Sequence, residues 1–111
     1  MSDYAELQKN LHDVSGFLIA LGDEKRQAII IKLLENVDCS GLQVSQLMNA
    51  TKLSRPAVSH HLKVLKDAQI VNYRREGTKN FYYLTHVTTE IDKLQSFLTE
   101  AQEIMKRGNH E

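Results

Sequence analysis

Apolar residues along the chain follow two rhythms, one of helical period and one of period two. Over 4–21 they recur at Tyr4, Leu7, Leu11, Val14, Leu18 and Leu21, a three-four spacing that lines one stripe of a helix. Gly22 is placed to end that helix and Asp23 to cap the next. There Ala28, Ile29, Ile30, Ile31, Leu33 and Leu34 cover a broad face, which predicts deep burial. A loop is expected over 36–41, then a short helix over 44–50 with Leu47 inward, then a turn at 51–53. Ser54 is a good N-cap, and Pro56 lies in the first turn that follows, where its missing N–H has no intrahelical partner anyway. Val58, Leu62 and Leu65 give this helix one inward face, with Arg55, Pro56, Ser59, His60 and Lys63 largely opposite. His61, beside the packing face, reads as a partly buried spacer.

Beyond it, 70–75 and 80–84 are rich in β-branched and aromatic residues. Glu76-Gly77-Thr78-Lys79 between them reads as a hairpin turn in which Gly77 supplies a positive φ. Thr88 or Thr89 can cap a last helix with Ile91, Leu94, Leu98, Ala101 and Met105 on one stripe. The expected fold is mainly α with a small β-hairpin, in one domain over 1–111. A short helix, a tight turn and a basic-faced helix over 44–66, then a wing over 70–84, match a winged helix-turn-helix of five helices plus wing. Ile29, Ile30, Leu33, Leu34, Leu47, Val58, Leu62, Leu65, Val71 and Phe81 suffice for its core. The stripes of 4–21 and 88–105 are then surplus. Leu7, Leu11, Val14 and Leu18 with Ile91, Leu94, Leu98, Ala101 and Met105 are expected to form a two-fold homodimer interface, rather than a helical hairpin within one monomer.

Charge changes the picture. The chain is formally neutral, with 14 Lys+Arg and 14 Asp+Glu, but the stretch 52–79 holds Lys52, Arg55, Lys63, Lys66, Arg74, Arg75 and Lys79 against Asp67 and Glu76. One basic segment on an otherwise acidic chain is what binding a polyanion needs. The expected DNA-contacting set is Ser54, Arg55, Pro56, Ser59, His60 and Lys63 on the helix with Arg74, Arg75 and Lys79 on the wing. Arg55 is the guanine reader among them. Cys39 is the sole cysteine, so an intramolecular disulfide and a structural zinc finger are excluded. It reads as a small apolar residue near a loop rather than a redox switch. His12, His86 and His110 are scattered and read as surface rather than as a metal site. The longest apolar run, 17–21, is far short of the ~20 residues that span a bilayer, and a soluble, cytoplasmic protein is expected. No phosphate-binding glycine loop, nucleophile elbow or His-Glu-x-x-His occurs, so no catalytic residues and no cofactor are assigned and an enzyme is not expected.

Three stretches resemble the ArsR family, the arsenic- and zinc-responsive repressors of bacteria. They are Leu21-Gly22-Asp23-Glu24-Lys25-Arg26, then Leu53-Ser54-Arg55-Pro56-Ala57-Val58-Ser59-His60-His61-Leu62-Lys63-Val64-Leu65, and Arg74-Arg75-Glu76-Gly77-Thr78-Lys79 followed by Tyr82 and Leu84. The second is the most specific, looking like the family's recognition helix almost residue for residue. The resemblance implies a dimeric repressor that leaves a double-stranded DNA operator when an effector binds. The family's usual effector sites are missing. Gln43 and Ser45 stand where its Cys-x-Cys pair would be, and its zinc positions fall on His86, Thr88, Thr99 and Gln102. A single imidazole cannot hold tetrahedral zinc, so no metal is assigned and the effector is left open. The competing reading is a winged-helix protein-docking adaptor that does not bind DNA specifically.

Overall fold

The computed structural model describes residues 2–37, 40–86 and 88–108; Cys39 and His110 lie outside them. The described residues form α1 (Ser2–Asp13), α2 (Ser15–Leu21), α3 (Glu24–Glu35), α4 (Val44–Thr51), α5 (Arg55–Asp67), β1 (Val71–Glu76), β2 (Lys79–Leu84) and α6 (Thr89–Arg107). There are thus six helices rather than five, because the single helix expected over 4–21 breaks at Val14. The Val14 N–H bonds Leu11 O at 3.2 Å, a tightened last turn, and Ser15 Oγ donates to the same carbonyl at 3.4 Å. Gly16, a poor helix former, follows at once.

Two compact units result. One joins α1 to α6 and the other runs over Phe17–His86. In the first, α1 and α6 pack on each other, with Leu7 and Val14 buried. Within one chain, α1 therefore packs on α6 through the buried part of the stripe expected over 4–21.

In the second unit, Asp23 caps α3 as expected: its Oδ1 accepts from the Lys25 and Arg26 N–H groups at 2.8 and 2.9 Å. The Arg26 N–H, followed by that of Lys25, holds the Asp23 carboxyl below the usual range. The core gathers Ala20, Ile29, Leu33, Leu42, Leu47, Val58, Leu62, Leu65, Ile70 and Val71. The expected broad burial of α3 is not found. Ile29 and Leu33, one turn apart, face inward, while Ile31 is 54% and Leu34 52% exposed on the other side of the same helix. Phe81 is half-buried rather than central.

The turn between α4 and α5 is tight. Lys52 caps α4 in the left-handed region (φ 63°), its N–H bonded to Met48 O at 2.8 Å. Lys25 Nζ donates to the Thr51 carbonyl at 3.1 Å, so a cation from α3 satisfies an orphan group at the end of α4.

β1 and β2 form a two-stranded antiparallel sheet in register Val71↔Leu84 through Glu76↔Lys79. Only Gly77 and Thr78 span the tip, and Gly77 has φ +64°, the sign that a two-residue hairpin loop requires at its first position. A further antiparallel bridge joins Leu42 to Tyr82 through two 2.8 Å backbone bonds. Among the described residues, no helix is long and apolar enough to cross a membrane.

Candidate nucleic-acid interface

α5 is fixed at its start and along one side. Ser54 Oγ accepts from the Ala57 N–H at 3.3 Å, Pro56 occupies the first turn, and Val58, Leu62 and Leu65 are buried against α3 and α4. That packing turns Ser54, Arg55, Pro56, Ser59, His60 and Lys63 to solvent, all exposed as the period requires. Arg55 and Ser59 are held by no described side-chain bond or ion pair. Lys63 pairs with Asp67 one turn on, at 3.0 Å with both side chains mostly exposed, an arrangement that stabilises little and leaves the ammonium exchangeable.

The wing adjoins this helix. Side chains alternate between its faces, so Tyr73, Arg75, Asn80 and Tyr82 share one and Arg74 and Phe81 the other. Lys66, on the last turn of α5, places Nζ 5.8 Å from the Tyr73 ring centre, and Tyr73 packs on Tyr82 at 5.3 Å. Burial pushes the Tyr82 phenol up, against a lowering bond from the Asn80 side chain. This chain of contacts ties the hairpin to α5, and period-two alternation in the sequence does foreshadow it for Tyr73 and Tyr82.

The three wing cations are placed differently. Arg74 is drawn back: its Nε donates to Glu76 Oε2 at 2.8 Å, a terminal nitrogen donates to the Ser40 carbonyl, and the guanidinium lies 5.0 Å from the Phe81 ring. Arg75 is exposed near the tip with Nε donating to the Gly77 carbonyl at 3.1 Å, and Lys79 is exposed. Gly41, which no sequence pattern singles out, lets the segment leading into Leu42 run close against β2. It has φ +113°, and a Cβ there would stand 2.9 Å from Tyr82 O and 3.1 Å from Phe81 Cβ.

Two of the positions matched to the family's metal sites hold other interactions. The Gln43 N–H donates to Gln46 Oε1 at 2.8 Å and Thr88 Oγ1 to Asp92 Oδ2 at 3.3 Å. Ser45, Thr99 and Gln102 are exposed, and His86 lines a cavity of about 370 Å³ with Leu33, Arg74 and Tyr82. Among the described residues no three His, Cys, Asp or Glu side chains gather as a metal cluster would require.

Comparison with known proteins agrees with this architecture. Residues 23–73 match the family described as bacterial regulatory protein, arsR family. An uncharacterized HTH-type transcriptional regulator of Methanocaldococcus jannaschii is 43% identical over 65 residues, 59% of this chain and 70% of that protein. The arsenical resistance operon repressor of Staphylococcus aureus is 32% identical over 74 residues, 67% of each chain. The transcriptional activator HlyU of Vibrio cholerae is 33% identical over 100 residues, 88% of this chain and 89% of that one. The structure of reduced HlyU superposes with a TM-score of 0.66 at 31% identity, over 81% of this chain and 90% of that one. The homodimeric winged helix-turn-helix domain of Mycobacterium bovis Mb0332 shares the fold, with a TM-score of 0.59 at 22% identity over 100% of this chain and 95% of that one. With its capped, basic-faced α5, its adjoining wing and these relatives, the chain belongs to the arsR family of bacterial transcriptional regulators.

Proposed function

We propose that the protein is a cytoplasmic repressor that binds a double-stranded DNA operator as a homodimer and is released by an effector other than a metal held at the family's usual positions. One observation carries the reading: α5 is locked from behind by its cap and core stripe, and presents Arg55, Ser59 and His60 to solvent beside a basic wing. A helix so placed enters the major groove, where Arg55 can donate two bonds to guanine and Ser59 and His60 can meet neighbouring base edges. Ser54 and Pro56 set the helix N-terminus, whose dipole favours phosphate. Lys63, Arg75 and Lys79 neutralise phosphates, and Arg74 holds the wing in place through Ser40 and Glu76.

The homodimer assignment rests on α6. Ile91, Leu98 and Met105 recur every seven residues and are 42%, 51% and 69% exposed, with Leu94 and Ala101 half-buried beside them. Leu11 and Leu18 are also exposed, whereas Leu7 and Val14 serve the interior of the chain. The solved Mycobacterium bovis relative is homodimeric.

The test uses a duplex selected by the protein from a random pool and an unselected duplex, each titrated at several salt concentrations. Arg55→Ala is expected to cost ~1–3 kcal/mol on the selected duplex and much less on the other, since a guanine contact is lost only where guanine was read. Lys79→Ala should weaken both alike and flatten the slope of log K against log salt by roughly one unit. Equal loss on both duplexes with Arg55→Ala would make it an anchor. No affinity for any duplex at low salt would leave the docking-adaptor reading. A promoter carrying the selected duplex should be silenced by the protein, and a rise in its output would instead assign activation, the role in the name of the Vibrio relative.

A further inference from the structure

Behind the reading face, a single guanidinium is engaged on three sides. Arg26, in the first turn of α3, donates from Nε to Ala20 O at 2.8 Å and from one terminal nitrogen to Ile19 O at 3.2 Å, both near the C-terminal end of α2. Its other terminal nitrogen stands 3.1 Å from His61 Nδ1 on α5. A guanidinium has donors and no acceptor, so Nδ1 accepts and the ring proton sits on Nε2. His61 is therefore a bonded member of the frame, not the spacer that its position in the sequence suggests.

We propose that Arg26 is a positioning residue for DNA reading, fixing the rotation of α5 about its own axis through His61, with the end of α2 as the abutment. The proposal rests on α5 being the reading helix. The stripe of Val58, Leu62 and Leu65 buries apolar area, and that attraction is not directional. The bond to His61 is directional, and it sits at the edge between the buried stripe and the exposed residues. A small rotation there would sweep Arg55 and Ser59 away from base edges, which demand placement to a fraction of an ångström. The planar fork explains why arginine occupies the position: a lysine could not donate along three fixed directions to α2 and α5 at once.

The test measures affinity for the selected and the unselected duplex by fluorescence anisotropy, with thermal melting as a folding control. His61→Leu is expected to lower affinity for the selected duplex by roughly three- to tenfold and to leave the unselected duplex within about twofold. His61→Asn, whose amide oxygen can accept near the place of Nδ1, should recover most of that loss. Arg26→Met combined with His61→Leu should be no weaker than Arg26→Met alone, because both remove the same bond. Losses that multiply would mean that His61 touches DNA independently of Arg26, and would overturn the proposal. So would a His61→Asn as weak as His61→Leu, or equal loss on both duplexes. Arg26→Met also strips donors from Ile19 O and Ala20 O and can lower the melting temperature; the two His61 variants leave those bonds intact and decide the matter by themselves. Failure of the unaltered protein to select any duplex overturns the reading of α5 instead, an outcome distinct from all of these.

Discussion

Gly41 and Gly77 both adopt positive φ, yet they do so for different reasons. At Gly77 a Cβ would meet nothing within 4 Å, so only the backbone conformation resists a side chain. At Gly41, where φ +113° lies outside the left-handed region that L-residues can enter, the conformational cost is higher and is joined by a collision with the backbone of β2, at 2.9 Å from Tyr82 O. Gly77→Ala is therefore expected to cost roughly 1–2 kcal/mol and Gly41→Ala distinctly more, over ~2 kcal/mol, in urea unfolding. Equal costs would mean that the loop over β2 yields without loss. The two residues also mark what a sequence discloses at this scale. Gly77 sits in a turn composition flanked by strand-like residues and was legible. Gly41 owes its role to a strand that comes much later in the chain, so no local pattern around it gave a signal. The same holds for Arg26: its type fits the family's helix entry, but its partners lie on two other helices.

Two helix starts were the most legible elements, because capping is chemistry between residues two or three apart; Thr88, at the N-cap of α6, makes no capping bond and donates its hydroxyl to Asp92 instead. Asp23 and Ser54 cap α3 and α5 as their types foretold. For Asp23 this has a pH signature. The Arg26 and Lys25 N–H groups hold its carboxyl below the ordinary value, so the folded state favours the ionised form. A depressed carboxyl contributes stability that is fully present above the unfolded-state value, ~4, and that is lost as pH falls through the folded one. Asp23→Asn keeps a capping oxygen that does not titrate. The melting-temperature lead of the unaltered protein over this variant should hold from neutrality to about pH 4 and shrink below it. A lead that grows on acidification would contradict the assignment. Less legible was the break at Val14, since the apolar stripe runs on through it with no change of period. The exposed Ile31 and Leu34 misled for a related reason: an apolar residue announces its hydropathy but not which side of the helix finds a partner.

At the scale of the whole molecule, charge distribution was the informative quantity. A neutral total conceals a basic segment, and the fold carries that segment onto the outer face of α5 and the wing. Assembly was harder to read, because the terminal stripes are only partly used within the chain. Part of each buries Leu7 and Val14 within the chain, and part of α6 is left uncovered. Leu98→Glu tests the proposed homodimer without disturbing the buried part, since Leu98 is already half in water. Light scattering should give twice the monomer mass for the unaltered protein and the monomer mass for the variant. Tight binding to a two-half-site duplex should be lost with it. A variant that keeps the doubled mass would place the interface away from this stripe.

The bridge between Leu42 and Tyr82 bears on the order in which the molecule is made. Helices and the hairpin tip close short loops and can form early, but this pair closes a loop that contains α4, α5 and β1. Closing it costs more chain entropy than a local contact does, a cost that falls once α4 and α5 have drawn its ends together. Leu42 at one end of that loop and Val71 of β1 both lie in the core with Leu47, Val58, Leu62 and Leu65, so the wing cannot part from the body without opening the core beneath α5.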